Sequence, residues 1–519
     1  MKLWPFTRSK PAEQAQQPRT RRFPLNRLAA RMFTGANVDR FGTGWGTQPL
    51  TADDVINKNQ RILVARSREQ AANNDYGKKF LRMCRNNIVG PKGVLLQAKS
   101  TDNTGKLDTL ANEAIELAFA AWGHKKNCDV TGKLSWRAMQ AACVNSAAKD
   151  GEFFLRLVFG ADAGPWGFAL QLLDPQRCPV DMVEDRLPSG NFIRQGIEFN
   201  RYGRPIAYYF STVDESDDNY HWGGRDFVRI PADEILHGFF DDMVGQKRGL
   251  PWMATSLFRM RQLAGMEESA LVNARAGANK MGFVEWDEGA AGGPEWDEDD
   301  DLVIDSEPGE FQVLPMGARI KEWAPQYPNG EFAGFTKQML RGMASGMGVA
   351  YNNLANDLEG VNFSSIRQGT LDERESWKEL QEWLIENLHQ PVFEAWLPRA
   401  LLSGRITVKG RSLKPERIDR YSVVEWQPRR WAWIDPSADV AAAEKSKNNM
   451  LQSPGRIIRE GGSDPNTVWK ETARDMRSMV DELVAQGFDE KDAKTYVLHS
   501  MGQDKTLLTG QQNAQEPSE

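Results

Sequence analysis

The fold is decided by one stretch near the middle of the chain, residues 328–390, which reads PNGEFAGFTKQMLRGMASGMGVAYNNLANDLEGVNFSSIRQGTLDERESWKELQEWLIENLHQ. Apolar residues recur in its first part at intervals of three and four, which is the period of an α-helix with one apolar face. They are Phe332, Phe335, Met339, Met343 and Met347. Glycines at 342, 346 and 348 lower the stability of this helix and permit a bend. The sequence therefore predicts a helix from Pro328 that loosens near residue 348.

A loop and a second helix follow in the same stretch. Residues 351–364 are rich in Asn, Asp and Gly, which suit turns and mobility rather than a packed element. Ser365 and Gln368 have the spacing of a capping box and predict the start of a helix. Pro391 predicts its end, because the residue before a proline disfavours the helical conformation. We expect a moving loop held between two long helices, and an ordinary surface connection is the alternative.

Size and composition bound what the chain can be. At 519 residues it exceeds one hydrophobic core, so two to four domains are expected. A hydrophobic fraction of 40% and a charged fraction of 26% are ordinary for soluble globular proteins. The net charge of −6 argues against a protein that grips nucleic acid over its whole surface, although it permits a local contact.

Cysteine usage and hydropathy indicate a reducing compartment. The four cysteines lack CxxC spacing and are too few for a disulfide framework, so buried thiols are predicted. They are Cys84, Cys128, Cys143 and Cys178. No apolar run approaches the roughly 18 residues that span a bilayer, and the first residues lack the apolar core of a signal peptide. We expect a protein that is cytosolic when it is made.

The order of local patterns divides the chain. Residues 1–50 are basic and predict a flexible arm, and residues 51–250 alternate between helical and strand patterns and predict one α+β domain. A long Ala-rich helix is expected over 251–280. Residues 281–318 then carry twelve acidic residues, with strand patterns at 282–286, 302–304 and 311–314. Past residue 435, Pro preceded by Asp or Ser marks three helix starts and predicts a helical domain over 436–500, with a polar tail after it.

The sequence lacks the common motifs of several enzyme classes. The chain has no Walker loop, no HExxH and no Gly-x-Ser-x-Gly, and its five histidines lie far apart in sequence. Asp297, Asp299 and Asp301 match the alternate ligands of a calcium loop, but Leu302 stands where that loop needs Gly and Pro308 where it needs Glu. A solvated acidic face or a docking surface for a basic partner is expected instead. A metal-dependent hydrolase that uses the acidic cluster remains the enzymatic alternative.

The side chains of the loop 351–364 differ in how they would interact with the phosphates of DNA. Asn side chains can donate hydrogen bonds to phosphates, whereas Asp357 and Glu359 repel them, and no basic residue follows until Arg367. This pattern suits a sliding, low-friction contact better than a clamp. The candidate contact residues of this loop are Asn352, Asn353, Asn356, Asp357, Glu359 and Asn362.

The order of several segments resembles the lambda-type portal proteins of tailed bacteriophages. The segments are GQKRGLP (245–251), ANKMGF (278–283), MGVAYNNL (347–354), NFSSIR (362–367), WAWIDP (431–436) and GSDP (462–465). The resemblance covers about residues 50–490. It implies an α+β portal-type subunit with a mixed α/β wing, two long stem helices, a small acidic clip, a long wing helix and a helical crown. The implied division is 51–250 wing, 251–280 first stem helix, 281–327 clip, 328–350 second stem helix, 351–364 tunnel loop, 365–435 long helix and return to the wing, 436–500 crown and 501–519 disordered tail.

The same resemblance implies a function. Portal proteins of this family form a ring, usually of twelve copies, at one capsid vertex, through which double-stranded DNA enters during packaging and leaves during ejection. The expected partners are the terminase large subunit, the head–tail connector, and the major capsid and scaffold proteins, with no cofactor, no membrane and no catalysis. The clip residues expected to dock terminase and connector are Glu295, Asp297, Glu298, Asp299, Asp300 and Asp301. The expected location is the virion, with the host cytoplasm during assembly. A non-DNA oligomeric scaffold protein is the second alternative.

Overall fold

The computed structural model describes residues 49–212, 226–278, 282–286, 318–322, 331–431 and 436–500. The chain divides into two units, Met1–Thr51 and Ala52–Glu519, and the description below concerns the second. Its helices are α1 Ala52–Asn73, α2 Asp75–Cys84, α3 Thr109–Trp122, α4 Lys125–Cys128, α5 Trp136–Asp150, α6 Leu257–Ala278, α7 Phe332–Gly346, α8 Tyr351–Ala355, α9 Phe363–Leu384, α10 Gln390–Leu402, α11 Ile418–Tyr421, α12 Pro436–Asn448, α13 Pro454–Glu460, α14 Pro465–Ala485 and α15 Glu490–Ser500.

The strands are short and all named pairs are antiparallel. They are β1 Leu95–Ala98, β2 Glu152–Phe159, β3 Phe168–Leu173, β4 Phe192–Arg194, β5 Ile197–Phe199, β6 Pro205–Ser211, β7 Phe227–Pro231, β8 Ile235–Phe239, β9 Gly282–Trp286, β10 Ala318–Glu322, β11 Thr407–Val408, β12 Arg411–Ser412 and β13 Val424–Gln427. One sheet has the order β3-β2-β8 and another the order β4-β5-β6-β7. The mixture of helices and antiparallel sheets confirms the predicted α+β class.

Strand β2 is central because both of its faces are buried. Alternate side chains along a strand point to opposite faces. Phe153 contacts the long helix α9, since its ring lies 6.0 Å from that of Trp383 in an edge-on arrangement. Phe154 points the other way and packs edge-on against Phe210 of β6, 5.3 Å between ring centroids. The strand therefore joins a large core made with the helices to a smaller core made with the second sheet.

An aromatic cluster joins distant parts of the sequence. Phe119 of α3 lies edge-on to Trp396 of α10, with 5.0 Å between ring centroids. Trp122 stacks on Phe168 of β3 at 5.5 Å and donates its indole N–H to the Phe168 carbonyl oxygen. Edge-on and offset ring pairs add about 0.5–1.5 kcal/mol each beyond the burial of apolar area. Helix α10 is thus part of the core of the N-terminal half.

The long helix does not end before Pro391, so that prediction was wrong. Helix α9 passes through one π-helical turn, Ile385–His389, directly into α10. Pro391 lies in the first turn of α10, where the absence of an N–H costs least. His389, Leu388 and Val392 at this junction are fully buried. Burial of these side chains holds the helical path across a residue that usually ends a helix.

The predicted helix starts in the C-terminal part are confirmed where the structure describes them. Ser453 and Asp464 are N-caps of α13 and α14, accepting hydrogen bonds from the N–H groups of Arg456 and Thr467. Helix α14, which begins at the second of these caps, has 21 residues. The strand predicted at 282–286 is β9, which pairs with β10. The strands predicted at 302–304 and 311–314 lie outside the described residues.

Helix α6 begins later than the sequence predicts, at Leu257 rather than Pro251. Residues 252–256 form turns, and the N–H of Trp252 donates to the Ala148 carbonyl oxygen at 3.1 Å. The hydroxyls of Thr255 and Ser256 donate to carbonyl oxygens of α7, those of Gly346 and Met343, both at 3.0 Å. The start of α6 is thereby fixed between α5 and α7.

The four cysteines are buried and free, as predicted. Among the described residues, none of the helices has both the length and the apolar character that crossing a bilayer requires.

Candidate functional site

The first half of the predicted loop is folded. Residues 351–355 form the helical turn α8, and Leu354 is buried in the main core with 2% of its surface exposed. Asn356 ends the turn in the left-handed conformation with φ +54°, which Asn adopts more readily than most residues. The prediction of a mobile segment over all of 351–364 was therefore wrong for its first part. Burial of Leu354 in the main core anchors the turn.

Asp357 receives three hydrogen bonds. Its Oδ2 accepts from the Lys337 ammonium at 2.9 Å and from the Tyr351 hydroxyl at 2.6 Å, and its Oδ1 accepts from the backbone N–H of Glu359 at 2.9 Å. The bonds from Tyr351 and Lys337 hold the pKa of Asp357 well below its usual range. Burial and the bond to Asp357 raise the pKa of Tyr351 to about 12.

This arrangement corrects the view that the loop has no basic neighbour. The nearest following base in sequence is Arg367, but α7 folds back and places Lys337 against Asp357. Lys79 of α2 also reaches the loop and donates to Asn356 Oδ1 at 2.7 Å. The loop carboxylate is therefore neutralised by the chain itself.

Two of the predicted asparagines hold the loop in place. Asn353 donates from Nδ2 to Glu373 of α9, and Trp377 donates to the same carboxylate at 3.3 Å. Burial raises the pKa of Glu373. Asn362 accepts from the N–H of Ser365 at 2.8 Å and is the N-cap of α9. The prediction that Ser365 begins the helix was wrong, since the cap lies three residues earlier.

Three asparagines of the loop line a cleft at the surface. Asn352, Asn353 and Asn356 come together with Lys79 around an open cleft of about 330 Å³. Glu359 is exposed, and its contribution to the local structure is its backbone N–H. Amide and ammonium groups at this cleft can donate hydrogen bonds to a passing polar ligand.

Sequence reasoning missed Lys337 and Arg341. Both lie on α7, four residues apart and thus on one helix face. The guanidinium of Arg341 lies 5.5 Å and the ammonium of Lys337 5.8 Å from the centroid of the Tyr351 ring. Their spacing was the available signal, but nothing in the sequence shows that this face meets the loop.

The acidic cluster predicted as a docking surface, residues 295–301, lies outside the described residues. Within the parts of the chain that the structure describes, no group of His, Cys, Asp and Glu side chains is placed to hold a metal ion.

The segment 245–251 forms a second conspicuous site, and Arg248 at its centre is buried. Arg248 is 1% exposed and donates from Nη2 to Glu152 Oε1 at 2.6 Å and from Nη1 to the Gln195 carbonyl oxygen at 2.7 Å. His237 Nε2 lies 2.9 Å from Glu152 Oε2. Burial opposes ionisation of Glu152, but the Arg248 charge and the contacts with His237 together outweigh it and lower the pKa of Glu152 to about 2. These contacts hold the segment that leads into α6 against β2.

The chain matches one protein family and several known proteins. The model of the family described as phage portal protein, lambda family, matches residues 39–381. The chain is 33% identical over 476 residues to the "Probable portal protein" of Halomonas phage phiHAP-1, covering 90% of each chain. It is 21% identical over 476 residues to "Portal protein B" of Escherichia phage lambda, covering 83% of this chain and 86% of the relative. Among solved structures, it is similar to a chain in the neck of an empty GTA particle, with TM-score 0.43 and 14% identity, covering 83% of this chain and 99% of that one.

Proposed function

The chain belongs to the lambda family of phage portal proteins, and we propose that its copies, twelve in number, close into a ring at one capsid vertex through which double-stranded DNA passes. The observation that carries the proposal is the 33% identity over 90% of both chains, because it spans the whole architecture rather than one motif. The subunit is a structural part of the capsid. We also propose that the subunit assembles in the host cytoplasm with major capsid and scaffold proteins.

We assign the parts of the ring by position. Residues 51–250 make the wing, 251–280 and 328–350 the two stem helices, 281–327 the clip, 351–364 the tunnel loop and 436–500 the crown. Close packing at the crossing of α6 and α7 supports the stem assignment. A Cβ on Gly342 would lie 1.6 Å from Arg259 Nη1, and one on Gly346 would lie 2.6 Å from the Ser256 hydroxyl. Past Leu263, most side chains of α6 up to residue 275 are exposed, as expected of a helix that neighbouring subunits cover.

The loop is the part assigned to DNA. Its cleft offers the amides of Asn352 and Asn353 and the ammonium of Lys79, and Asp357 is already paired with Lys337. A loop whose main carboxylate is neutralised repels phosphates less than its composition suggests. It is therefore suited to line a channel through which DNA slides.

The clip is the part assigned to terminase and then to the head–tail connector. Residues 281–318 contain no Lys or Arg, and Glu295 and the residues 297–301 concentrate negative charge. A basic partner surface would complement this charge.

Electron microscopy of the purified full-length chain tests the proposal. Closed rings are expected. A strictly monomeric species at micromolar concentration, measured by mass photometry, would contradict it, and open filaments would favour a scaffold without a DNA channel.

A further inference from the structure

Asp357 has the surroundings of a bound anion. An ammonium, a phenol hydroxyl and a backbone N–H converge on its two oxygens at 2.9, 2.6 and 2.9 Å. These are the groups that also contact phosphate oxygens in protein–DNA complexes. The carboxylate thus occupies a place whose donors fit a phosphate equally well.

A second cation stands beside this place. Arg341 lies one helical turn from Lys337, and both cationic groups lie within 6 Å of the Tyr351 ring centroid, at 5.5 and 5.8 Å. Asp357 neutralises one of the two charges. Lys337, Arg341 and Tyr351 together with Asp357 therefore carry one net positive charge, and the net charge of the site becomes two when Asp357 leaves.

The backbone conformation permits Asp357 to move away from Lys337 and Tyr351 while α7 and α8 stay folded. Asn356 with φ +54° and Gly360 with φ +68° bracket the segment 357–359. Leu358 is 64% exposed, so no large apolar side chain of the segment has to be uncovered when it moves. Leu354, at 2% exposure, keeps α8 and the Tyr351 hydroxyl in position. The cations lie on α7, which is held in the main core by the buried Leu340 and Met343.

We propose that Lys337, Arg341 and Tyr351 form a binding site for a phosphate of the DNA backbone, and that Asp357 occupies this site while no DNA is present. The inference rests on the proposed function, because DNA has to reach the loop. DNA and Asp357 compete for the same donors. At each contact a DNA phosphate replaces the Asp357 carboxylate. This exchange limits the net binding free energy of the contact, so that the contact breaks as DNA moves.

The test measures duplex binding by the full-length protein over a series of salt concentrations, using fluorescence anisotropy of a short labelled duplex. Asp357→Asn removes the competing charge but keeps the side-chain shape. We expect on the order of tenfold tighter binding at low salt and a salt slope steeper by about 0.9 for each phosphate gained. Asp357→Ala, which removes the occupant altogether, is expected to bind at least as tightly.

The matched control is Glu359→Gln. It removes the same charge from the same loop, but the Glu359 contact with Asp357 is made by its backbone N–H, which the substitution keeps. We expect Glu359→Gln to raise the affinity for the duplex by less than twofold. In the double variant Lys337→Gln, Asp357→Asn, the gain is expected to disappear.

Three outcomes would contradict the proposed phosphate site. They are no gain in duplex affinity in either Asp357 variant, an equal gain in Glu359→Gln, or a gain that persists in the double variant without Lys337. Negative-stain images of the same samples show separately whether rings form, so failure of the site is distinguishable from failure of the proposed function.

Discussion

The guanidinium of Arg248 and the carboxylate of Glu152 form an ion pair from which water is excluded, with 2.6 Å between Nη2 and Oε1 and exposures of 1% and 0%. Ninety-six residues separate the two in sequence. Glu152 begins strand β2, and Arg248 lies just ahead of the turns that enter α6. The pair therefore fixes the first proposed stem helix to the sheet of the proposed wing.

Removing one member of this pair is expected to destabilise the protein strongly. Arg248→Met leaves the buried Glu152 carboxylate without its cation, which costs about 3–5 kcal/mol of unfolding free energy. Denaturant unfolding followed by tryptophan fluorescence measures the loss. Arg261→Ala, which breaks an exposed pair with Glu69 at 3.5 Å, is the control and should change the unfolding free energy by less than about 1 kcal/mol. Equal effects would contradict the anchoring role.

The contact between Gly249 and Gly151 should tolerate no side chain. A Cβ on Gly249 would lie 2.0 Å from the Gly151 carbonyl oxygen, below any real contact distance. We expect Gly249→Ala to give little soluble protein or a thermal midpoint lowered by several degrees, at about 1–3 kcal/mol for overpacking. Gly369→Ala on α9, where nothing lies within 4 Å, should instead be neutral or stabilising by about 0.5–1 kcal/mol. A well-folded Gly249→Ala protein would refute the close approach.

His389 should make stability depend on pH between about 6.5 and 4. Burial between Trp136 and Trp426 lowers the pKa of His389 to about 4. The unfolded chain takes up a proton near pH 6.5 that the folded chain refuses, so stability present above that pH is lost as the pH falls. The free energy of unfolding falls by about 3 kcal/mol in total, because each unit of difference in pKa corresponds to roughly 1.4 kcal/mol.

Unfolding curves measured from pH 7.5 downward test this assignment. His237, whose pKa burial also lowers, contributes in the same direction, and Glu152 contributes only below its usual range. His389→Phe, which keeps an aromatic ring in the cluster, should flatten the dependence between pH 6.5 and 4. An unchanged slope in that variant would show that another group is responsible.

Loosening the loop should be visible without DNA. Tyr351→Phe removes the hydroxyl that donates to Asp357 at 2.6 Å and leaves the ring in place. We expect cleavage by a glutamate-specific protease after Glu359 to become several-fold faster, because local opening exposes the backbone. Lys378→Gln, which breaks an exposed pair within α9, serves as control and should leave the rate unchanged. Equal rates for wild type and Tyr351→Phe would mean that the bond does not hold the loop.

The candidate site was predictable in part. Composition located the loop, and the caps Ser453 and Asp464 were predictable because a cap needs only local residues. Asn362 was misjudged because Ser365 offers an equally good capping pattern three residues later. The partners of Asp357 were not predictable, since Lys337 is twenty residues earlier and Lys79 lies on another helix.

What the sequence by itself determined is the set of local choices: the helical period over 332–347, the strand 282–286, the C-terminal helix starts and the family order of segments. These depend on residues near one another in the chain, so the pattern contains the information. The tertiary structure alone decided that the helix continues past Pro391, that β1 pairs with β13, and that Asp357 is neutralised. Each of these depends on burial or charge supplied from far along the chain, where energies of a few kcal/mol override local preference.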